Sequence, residues 1–367
     1  MNPVPFVNLK RQIDELRPAL LAAVDAVLHD QSFIQGPHVE QFELDFARAH
    51  GIAHAIGCAN GTVAISLALE ALGVGPGHEV IVPAHTFAAT AAAVCHVGAT
   101  PVFADIEPGA YTLDPHDVEA KLGPATKAVI PVHIYGTPCR MDQLVDVAAK
   151  GNDVFIVEDS AQAHLARYRG ESVGTRGHAA TFSFYPGKNL GGYGDAGAIL
   201  TQHASVAARL RKLRDHGRSG KYLHEVLGYN CRMDGIQAAM LAVKLPYLEQ
   251  WTNNRRAVAA RYDENFVSRG FKVIQPPADS SAVYHLYIIE VSNRDEVQEH
   301  MRERGIATGI HYPVPLHRQP AFAKFARGSL PVTERAAERI VSVPICGSID
   351  ADEQRRVIES FLEVAQP

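Results

Sequence analysis

The segment around Lys188 contains the residue types best suited to chemistry, with the sequence SFYPGKNLGGYG from residue 183 to residue 194. Pro186 and Gly187 shape the backbone before the lysine, and we expect the glycines that follow to leave room for a bulky group beside the amine. Asp159 ends an apolar run upstream. Pyridoxal phosphate requires an amine that attacks its aldehyde and a carboxylate that keeps its ring nitrogen protonated. The pair therefore predicts a cofactor held as a Schiff base on Lys188.

Both residues also have an ordinary structural interpretation. Lys188 could be a solvated lysine in a surface turn, which is the commonest fate of lysine. Asp159 could begin the following helix as its N-cap. The glycines and aromatic residues near Lys188, between two predicted strands, favour the catalytic interpretation. A lysine that is nucleophilic near neutral pH needs a lowered pKa, which partial burial and a cationic ring would provide.

The tripeptide Asn60-Gly61-Thr62 directly precedes a predicted helix. Free amides at the positive end of a helix can hold a phosphate, although a simple turn with an N-cap would use the same residues. Ser183 offers a second hydroxyl. Phe87 follows a predicted strand and could stack on a pyridine ring, although a lone aromatic residue there is more often part of the core. We interpret these residues as cofactor contacts.

Two further segments are candidates for substrate binding. The cationic stretch 209–221 could meet a pyrophosphate, and a solvated helix face explains it equally well. The segment 311–317 places hydrogen-bonding side chains on a loop restricted by prolines, and such loops often hold substrates. The predicted substrate contacts are Tyr185, Arg214, His216, His311, Tyr312 and His317.

Three other patterns are not convincing. Gly192-x-Gly194-x-x-Gly197 matches the dinucleotide fingerprint, but an apolar, strand-like run follows it where a helix should begin. The Gly187-Lys188 pair lacks the upstream glycine of a nucleoside-triphosphate-binding loop, and Asn189 replaces its hydroxyl residue. The 18 histidines include no His-Glu-x-x-His pattern, so we predict no metal site.

Between about residues 50 and 200, short apolar runs alternate with helical stretches, which predicts βαβ units and a mostly parallel sheet. The predicted strands are 79–83, 100–103, 128–134, 154–157, 181–184 and 196–201, and the helices are 62–72, 87–97 and 141–150. A helical stretch over 233–266 should break at Pro246. Strands 284–291 and 307–312 and helices 294–304, 333–342 and 350–365 follow. We predict an α/β domain over residues 1–250 and a smaller α+β domain over residues 251–367.

The composition of the 367 residues, 47% hydrophobic and 20% charged, is that of an ordinary globular protein. The formal net charge of −5 argues against binding of nucleic acid through a cationic surface. Five scattered cysteines without a Cys-x-x-Cys pair indicate reduced thiols. We find neither a signal peptide nor an apolar run of about 18 residues, so we expect a cytoplasmic protein that does not enter a membrane.

With these residues assembled, the sequence resembles the DegT/DnrJ-type sugar aminotransferases, a branch of the fold type I pyridoxal-phosphate enzymes. The resemblance runs from residues 33–37 to the C-terminal domain and is most specific at 158–162 (EDSAQ), 183–194 and 229–234 (YNCRMD). It implies a large α/β domain with a seven-stranded, mostly parallel sheet. It also implies a homodimer with shared active sites, L-glutamate as the amino donor, and a cofactor that cycles through pyridoxamine phosphate.

The resemblance also implies roles for individual residues. Lys188 would carry the cofactor, Asp159 would pair with its ring nitrogen, and Gln162 would lie near its ring hydroxyl. Phe87 would stack on the ring. The phosphate would be held by Gly61, Thr62 and Ser183, together with Asn230 of the partner subunit.

The segment 311–320 is similar to that of family members that aminate C3 of a nucleotide-linked keto-sugar, which predicts a dTDP-3-keto-6-deoxyhexose as acceptor. Leu165 stands where many relatives have glycine, and His178 where many have an acidic residue. We expect these two departures to affect contacts with the substrate more than the reaction itself. The alternatives are amination at another position or of an inosose, a sugar dehydratase, and a regulator without catalysis. The nucleotide and the sugar stereochemistry stay open.

Overall fold

The computed structural model describes residues 2–367. Its helices are α1 Leu9–Asp30, α2 Pro37–His50, α3 Gly61–Ala71, α4 Ala89–His96, α5 Pro115–Lys121, α6 Met141–Ala148, α7 Ala204–Leu213, α8 Gly235–Lys244, α9 Leu248–Phe266, α10 Arg294–Glu303, α11 Pro331–Arg339 and α12 Ala351–Leu362. Its strands are β1 His54–Cys58, β2 Glu79–Pro83, β3 Thr100–Ala104, β4 Thr126–Val129, β5 Phe155–Asp159, β6 Arg167–Tyr168, β7 Glu171–Ser172, β8 Ala179–Ser183, β9 Gly197–Thr201, β10 Lys272–Val273, β11 Ser280–Ser281, β12 Tyr287–Glu290 and β13 Ile340–Val343. Within residues 2–367, every helix is too short or too polar to cross a membrane.

Seven strands form the central sheet, in the order β1-β9-β8-β5-β4-β2-β3. The five adjacent strands β8, β5, β4, β2 and β3 run parallel to one another. Strand β9 is antiparallel to both β8 and β1. This architecture confirms the predicted α/β fold with a mostly parallel, seven-stranded sheet.

Helices cover both faces of this sheet, so its central strands are buried on both sides. In β2, Val80 and Val82 join a hydrophobic cluster with side chains of α3 and α4, while Ile81 joins a second cluster with α5 and α6. Side chains alternate between the two faces along a strand, so both faces need apolar residues. This explains why the strands are visible in the sequence as continuous apolar runs.

The C-terminal part of the chain packs around a three-stranded antiparallel sheet, β10-β12-β13. Tyr262, Tyr287 and Phe361 are fully buried in its core. The N-terminal segment also reaches this part, since Val4 forms a parallel bridge with Ile306. The predicted domain boundary between residues 250 and 251 falls in the first turn of α9.

Three predicted elements differ from the structure. Of the predicted strand 128–134, only residues 128 and 129 lie in a strand, β4. Residues 307–312, predicted as a strand, form only one bridge, between Gly309 and Ser342, because the proline-rich continuation cannot extend a ladder. The predicted helix 333–342 gives way in its last residues to strand β13, whose β-branched side chains suit a buried strand. The predicted break at Pro246 is confirmed, since a 3₁₀ turn separates α8 from α9.

The turn between β1 and α3 packs directly against the adjoining ends of β8 and β9. A Cβ added to Gly61 would lie 2.7 Å from the Cβ of Ser183, and a Cβ added to Gly197 would lie 2.5 Å from the main-chain carbonyl carbon of Asn60. Neither position has room for a side chain. The two glycines therefore allow the start of α3 to lie beside Ser183.

Gly197→Ala should force these elements apart. The new Cβ would collide with main-chain atoms that cannot rotate away, so we expect the free energy of unfolding to fall by roughly 1–3 kcal/mol. Gly220→Ala is the matched control, because a Cβ at that position meets no atom within 4 Å. Urea unfolding compares the two variants, and equal midpoints would contradict the close packing.

Candidate active site

Asp159 is the last residue of β5, at the edge of the sheet where ligands of open α/β sheets bind. Its side chain is 5% exposed. Oδ2 accepts a hydrogen bond of 2.9 Å from Thr90 Oγ1, and Oδ1 accepts one of 3.2 Å from the Ala161 amide. Burial raises the pKa of this carboxyl in spite of the two hydrogen bonds and the nearby Lys188. Turns, not a helix, follow Asp159, so it is not a helix N-cap.

Lys188 follows β8, in which Thr181 pairs with Asp159 of the adjacent strand. Its side chain is partly exposed. Burial lowers the pKa of the amine to about 8, and Asp159 opposes part of this shift. Within residues 2–367, the two groups affect each other's pKa without forming an ion pair shorter than 4.0 Å. The structure thus brings the predicted pair together without direct contact.

The glycines after Lys188 are required for close packing of the loop. A Cβ on Gly191 would lie 2.3 Å from the carbonyl oxygen of Pro186, and Cβ atoms on Gly192 and Gly194 would lie 2.7 and 2.8 Å from the Gln237 side chain. These glycines let the loop pack on itself and on α8. Room for a bulky group beside the amine stays a prediction.

A second lysine, Lys244, binds the loop that follows Lys188. Lys244 of α8 is 1% exposed, and its ammonium donates to the Gly191 carbonyl and lies 4.9 Å from the ring centroid of Tyr193. Burial lowers the pKa of Lys244 to about 8. Its ammonium serves to hold the loop in place.

The first turn of α3 offers free hydrogen-bond donors. Asn60 is the N-cap, and its side-chain oxygen accepts a hydrogen bond of 3.0 Å from the Val63 amide. Within residues 2–367, the amides of Gly61 and Thr62 have no acceptor. They lie at the positive end of the helix dipole. Ser183 Oγ lies beside them, 3.2 Å from the position of a Cβ on Gly61.

Gln162, Tyr312 and Phe87 form another side of the site. Gln162 Oε1 accepts a hydrogen bond of 2.6 Å from the Tyr135 amide, and its Nε2 donates to the Tyr312 hydroxyl at 3.3 Å. The ring centroids of Phe87 and Tyr312 are 5.9 Å apart. Phe87 is 58% exposed, which excludes the alternative that it is a core residue. Its ring is therefore available for stacking.

Sequence reasoning missed two residues that position this site. Thr90 binds Asp159, but it lies in an alanine-rich helix without any motif. Tyr135, in the left-handed region with φ of 61°, donates its amide to Gln162 and its hydroxyl to the His311 carbonyl. Neither role could be found from the sequence, because the partners are distant along the chain.

The histidines near Lys188 are neutral. Burial lowers the pKa of His164, His285 and His311, and Lys188 contributes to each shift. For His311 the value falls to about 4. At neutral pH these imidazoles therefore add no positive charge to the surroundings of Lys188 and Asp159.

Arg214 is not available to a substrate. It is 6% exposed, it pairs with Glu43, and its Nη1 donates to the Gly57 carbonyl at 2.6 Å. Glu43 also accepts a hydrogen bond of 2.7 Å from the Gly57 amide. The predicted contact of Arg214 with a pyrophosphate is therefore wrong, because the guanidinium connects the end of α7 to α2 and β1.

The other predicted substrate residues fall into two groups. His317 is 5% exposed and its Nε2 lies 2.9 Å from Glu334 Oε1, so its predicted substrate contact is also wrong. Tyr185 and His216 are exposed, and Tyr312 lies beside Phe87. The substrate contacts of Tyr185, His216, His311 and Tyr312 stay predictions.

Asn230 is exposed and lies near the start of α3 of its own chain. The carbonyl of the next residue, Cys231, accepts a hydrogen bond of 3.1 Å from the Ala59 amide. Asn230 is thus close in sequence to a main-chain contact with the β1–α3 turn. Its assignment to the phosphate of the other subunit stays a prediction.

The residues fit pyridoxal phosphate in three respects. The buried carboxylate of Asp159 suits a cationic ring nitrogen. The amine of Lys188, with its lowered pKa, suits the aldehyde. The unbound amides of Gly61 and Thr62 suit a phosphate. The fold and the site together define a pyridoxal-phosphate-dependent enzyme.

Comparison with known proteins agrees with this class. The chain belongs to the DegT/DnrJ/EryC1/StrS aminotransferase family, whose sequence profile matches residues 14–362. Solved structures of the same fold include proteins in the pyridoxal phosphate form and with bound pyridoxamine phosphate. The protein is an aminotransferase, and pyridoxal phosphate is its cofactor.

The chain is 44% identical to the dTDP-3-amino-3,4,6-trideoxy-alpha-D-glucose transaminase of Streptomyces venezuelae, over 99% of this chain and 96% of that protein. It is 43% identical to a pleiotropic regulatory protein of Geobacillus stearothermophilus, over 98% of both. The crystal structure of S. venezuelae DesV in complex with a ketimine intermediate matches it with a TM-score of 0.96 and 44% identity, over 99% of this chain and 98% of that chain.

The lowered pKa of Lys188 predicts how cofactor attachment depends on pH. The neutral amine is the nucleophile, and a pKa of about 8 leaves about a tenth of the lysine neutral at pH 7. The rate of covalent attachment of pyridoxal phosphate to the cofactor-free protein should rise with pH and level off above about pH 8 to 9. Absorbance of the cofactor measures this rate. A rate that still rises steeply near the ordinary lysine pKa of 10.5 would contradict the shift.

Breaking the Arg214–Glu43 pair should reduce stability without affecting nucleotide recognition. Arg214→Met leaves the Glu43 carboxylate buried with the Gly57 amide alone, so we expect the free energy of unfolding to fall by roughly 3–5 kcal/mol. Glu43→Gln in the same chain should recover part of the loss, which a double-mutant cycle by urea unfolding measures. A higher Michaelis constant for the nucleotide sugar at unchanged stability would instead indicate a substrate contact.

Proposed function

We propose that this enzyme transfers an amino group from L-glutamate to C3 of a nucleotide-diphospho-keto-sugar, with a dTDP-3-keto-6-deoxyhexose as acceptor. The observation that carries the proposal is the electrostatic coupling of the buried Asp159 carboxylate to Lys188, together with the free amides of α3 beside Ser183, at the end of the strand that precedes Lys188. The similarity to the S. venezuelae transaminase, which is named for a dTDP-3-amino sugar, supports this class of acceptor.

Five side chains and the start of α3 would hold the cofactor. Bound pyridoxal phosphate supplies an electron-poor ring that stabilises negative charge on the carbon atom that loses a proton. Asp159 would keep the ring nitrogen protonated, and burial strengthens this interaction. Gln162 would donate to the ring hydroxyl, and Phe87 would cover one face of the ring. The phosphate would be bound by the Gly61 and Thr62 amides and by Ser183, with Asn60 fixing the turn.

Lys188 has two tasks in this mechanism. Its Nζ would hold the cofactor covalently. As a free amine, Nζ would take the proton that leaves the α-carbon of the donor, and it would return a proton when the keto-sugar receives the nitrogen. A pKa of about 8 suits both directions, because an acid–base group is most effective when its pKa is near the working pH.

Tyr185 and His216, which are exposed, and His311 and Tyr312, which are partly buried, would contact the substrates in this proposal. Asn230 of the partner subunit would complete the phosphate site, so the functional unit would be a homodimer. Exposed apolar side chains near Asn230 support such an interface, with Leu227 94% exposed and Tyr222 83% exposed. Contiguous apolar surface of this kind commonly marks a protein contact. The free cysteines agree with a cytoplasmic location.

A regulatory role without catalysis is the second candidate, because one relative is named a pleiotropic regulatory protein. Such a protein would not require an amine with a lowered pKa close to a buried carboxylate. Lys188 and Asp159 have this arrangement, so we favour the transferase. Turnover of L-glutamate distinguishes the two.

Borohydride reduction of the purified enzyme should attach the cofactor to the Lys188 peptide, as measured by mass spectrometry. Lys244 is an internal control, because burial lowers its pKa to the same value of about 8 while its ammonium is bound to the Gly191 carbonyl. Lys188→Ala should abolish amino transfer without lowering the melting temperature of the cofactor-free protein, since burial disfavours the charged amine. Label on a different peptide, or amino transfer by Lys188→Ala, would refute the proposal.

A further inference from the structure

A polar cavity of about 220 Å³ opens beside Lys188, between the start of α1, the start of α9 and residues 346–348. Its lining residues include Gln250, Trp251 and Arg255 of α9. Of the residues that we assign to the cofactor, Lys188 lines this cavity. The cavity therefore adjoins Lys188 and is distinct from the phosphate and ring contacts.

Arg255 is a buried cation in the wall of this cavity. It is 5% exposed, and its Nη1 donates to the main-chain carbonyls of Tyr284, His285 and Ile345 at 3.1, 3.4 and 3.0 Å. Within residues 2–367, no carboxylate lies in ion-pair distance of its guanidinium. Burial lowers its pKa to about 10, so the group stays charged at neutral pH. Carbonyl dipoles hold the guanidinium in position but leave its charge without a counter-ion.

The charges around the cavity favour an anion. Lys188 and Arg255 are basic lining residues, whereas Glu15, the acidic one, lies on an exposed part of α1. The amide side chains of Gln12 and Gln250 supply further donors. These polar walls are suited to a carboxylate.

The size of the cavity restricts the ligand to a small molecule. Its volume corresponds to about seven water molecules at roughly 30 Å³ each. Sites for drug-sized ligands measure about 300–1,000 Å³, so a nucleotide sugar does not fit into this space. A short carboxylic acid does.

We propose that this cavity binds a carboxylate of the amino donor, with Arg255 as its counter-ion. The inference rests on the proposed function, because a donor that displaces Lys188 must bring its amine to the end of that side chain. The carboxylates of an acidic amino acid are then only a few bonds away from Lys188. They would neutralise the charge of Arg255, and the nucleotide sugar would bind without using this cavity.

Trp251 provides a direct measurement, since it lines the cavity and is the only tryptophan of the chain. The enzyme with its cofactor is titrated with 2-oxoglutarate, the keto acid of the proposed donor, and with the neutral dimethyl ester. We expect a saturable change of tryptophan fluorescence with the acid and none with the ester. Equal responses to both compounds, or a response to neither, would overturn the anion site.

Gln250→Glu adds a negative charge to the cavity wall at nearly constant shape. The dissociation constant of 2-oxoglutarate and the Michaelis constant of L-glutamate should both rise about tenfold, while that of the nucleotide sugar stays unchanged. Gln143→Glu, on the exposed side of α6, is the matched control and should change none of them. Arg255→Met should abolish the fluorescence response. Arg255→Met removes the donor of three carbonyls and could fail to fold. In that case the constants measured for Gln250→Glu test the anion site.

Failure of this inference can be distinguished from failure of the proposed function. If borohydride labels Lys188 and L-glutamate is consumed, but Gln250→Glu leaves both constants unchanged, the cavity assignment falls and the transferase stands. If the label is not on Lys188, the proposed function falls. A response to 2-oxoglutarate that Gln250→Glu weakens would then still support a carboxylate site.

Discussion

A carboxylate and an amine held close together, but out of contact, are the constraint on which this site depends. Burial raises the pKa of Asp159 and lowers that of Lys188, since it disfavours the charged form of each. A direct ion pair would stabilise both charges and keep the amine protonated. The separation leaves the amine nucleophilic and the carboxylate free for another cation. A cofactor with a positive ring nitrogen should therefore stabilise the folded protein by binding to it.

The sheet and the loop packing maintain this separation. Asp159 and Thr181 are paired on neighbouring parallel strands, so the ends of β5 and β8 lie side by side. Lys188 then depends on the loop after β8, which is fixed by close contacts of its glycines with Gln237 and by the ammonium of Lys244. The start of α3 lies at the same edge of the sheet because Gly197 packs against the main chain of Asn60 and Gly61 packs against Ser183. Side-chain contacts of the loop after β8 and main-chain packing at the start of α3 thus decide together where the reacting groups lie.

Much of this arrangement could be predicted from local sequence, because a strand end and a helix start depend on contiguous residues. Asp159 after an apolar run is an example. The counter-ion of Arg214 could not be predicted, since Glu43 lies 171 residues away along the chain. Leu165 was visible only as a departure from the glycine of many relatives, whereas the structure shows it at a φ of 63°, in the region that favours glycine. The cavity at Arg255 combines residues from both ends of the chain, so no local pattern marks it.

Burial has opposite consequences for the lysine and the arginine at this site. Lys188 and Arg255 both have lowered pKa values, about 8 and about 10. An amine with a pKa of 8 readily loses its proton, but a guanidinium with a pKa of 10 keeps its charge at neutral pH. The same desolvation therefore produces a nucleophile at one residue and a permanent cation at the other. Lys244 has the same lowered pKa as Lys188 but donates to a main-chain carbonyl. The two lysines therefore differ in exposure and not in pKa: Lys188 is partly exposed, whereas Lys244 is buried.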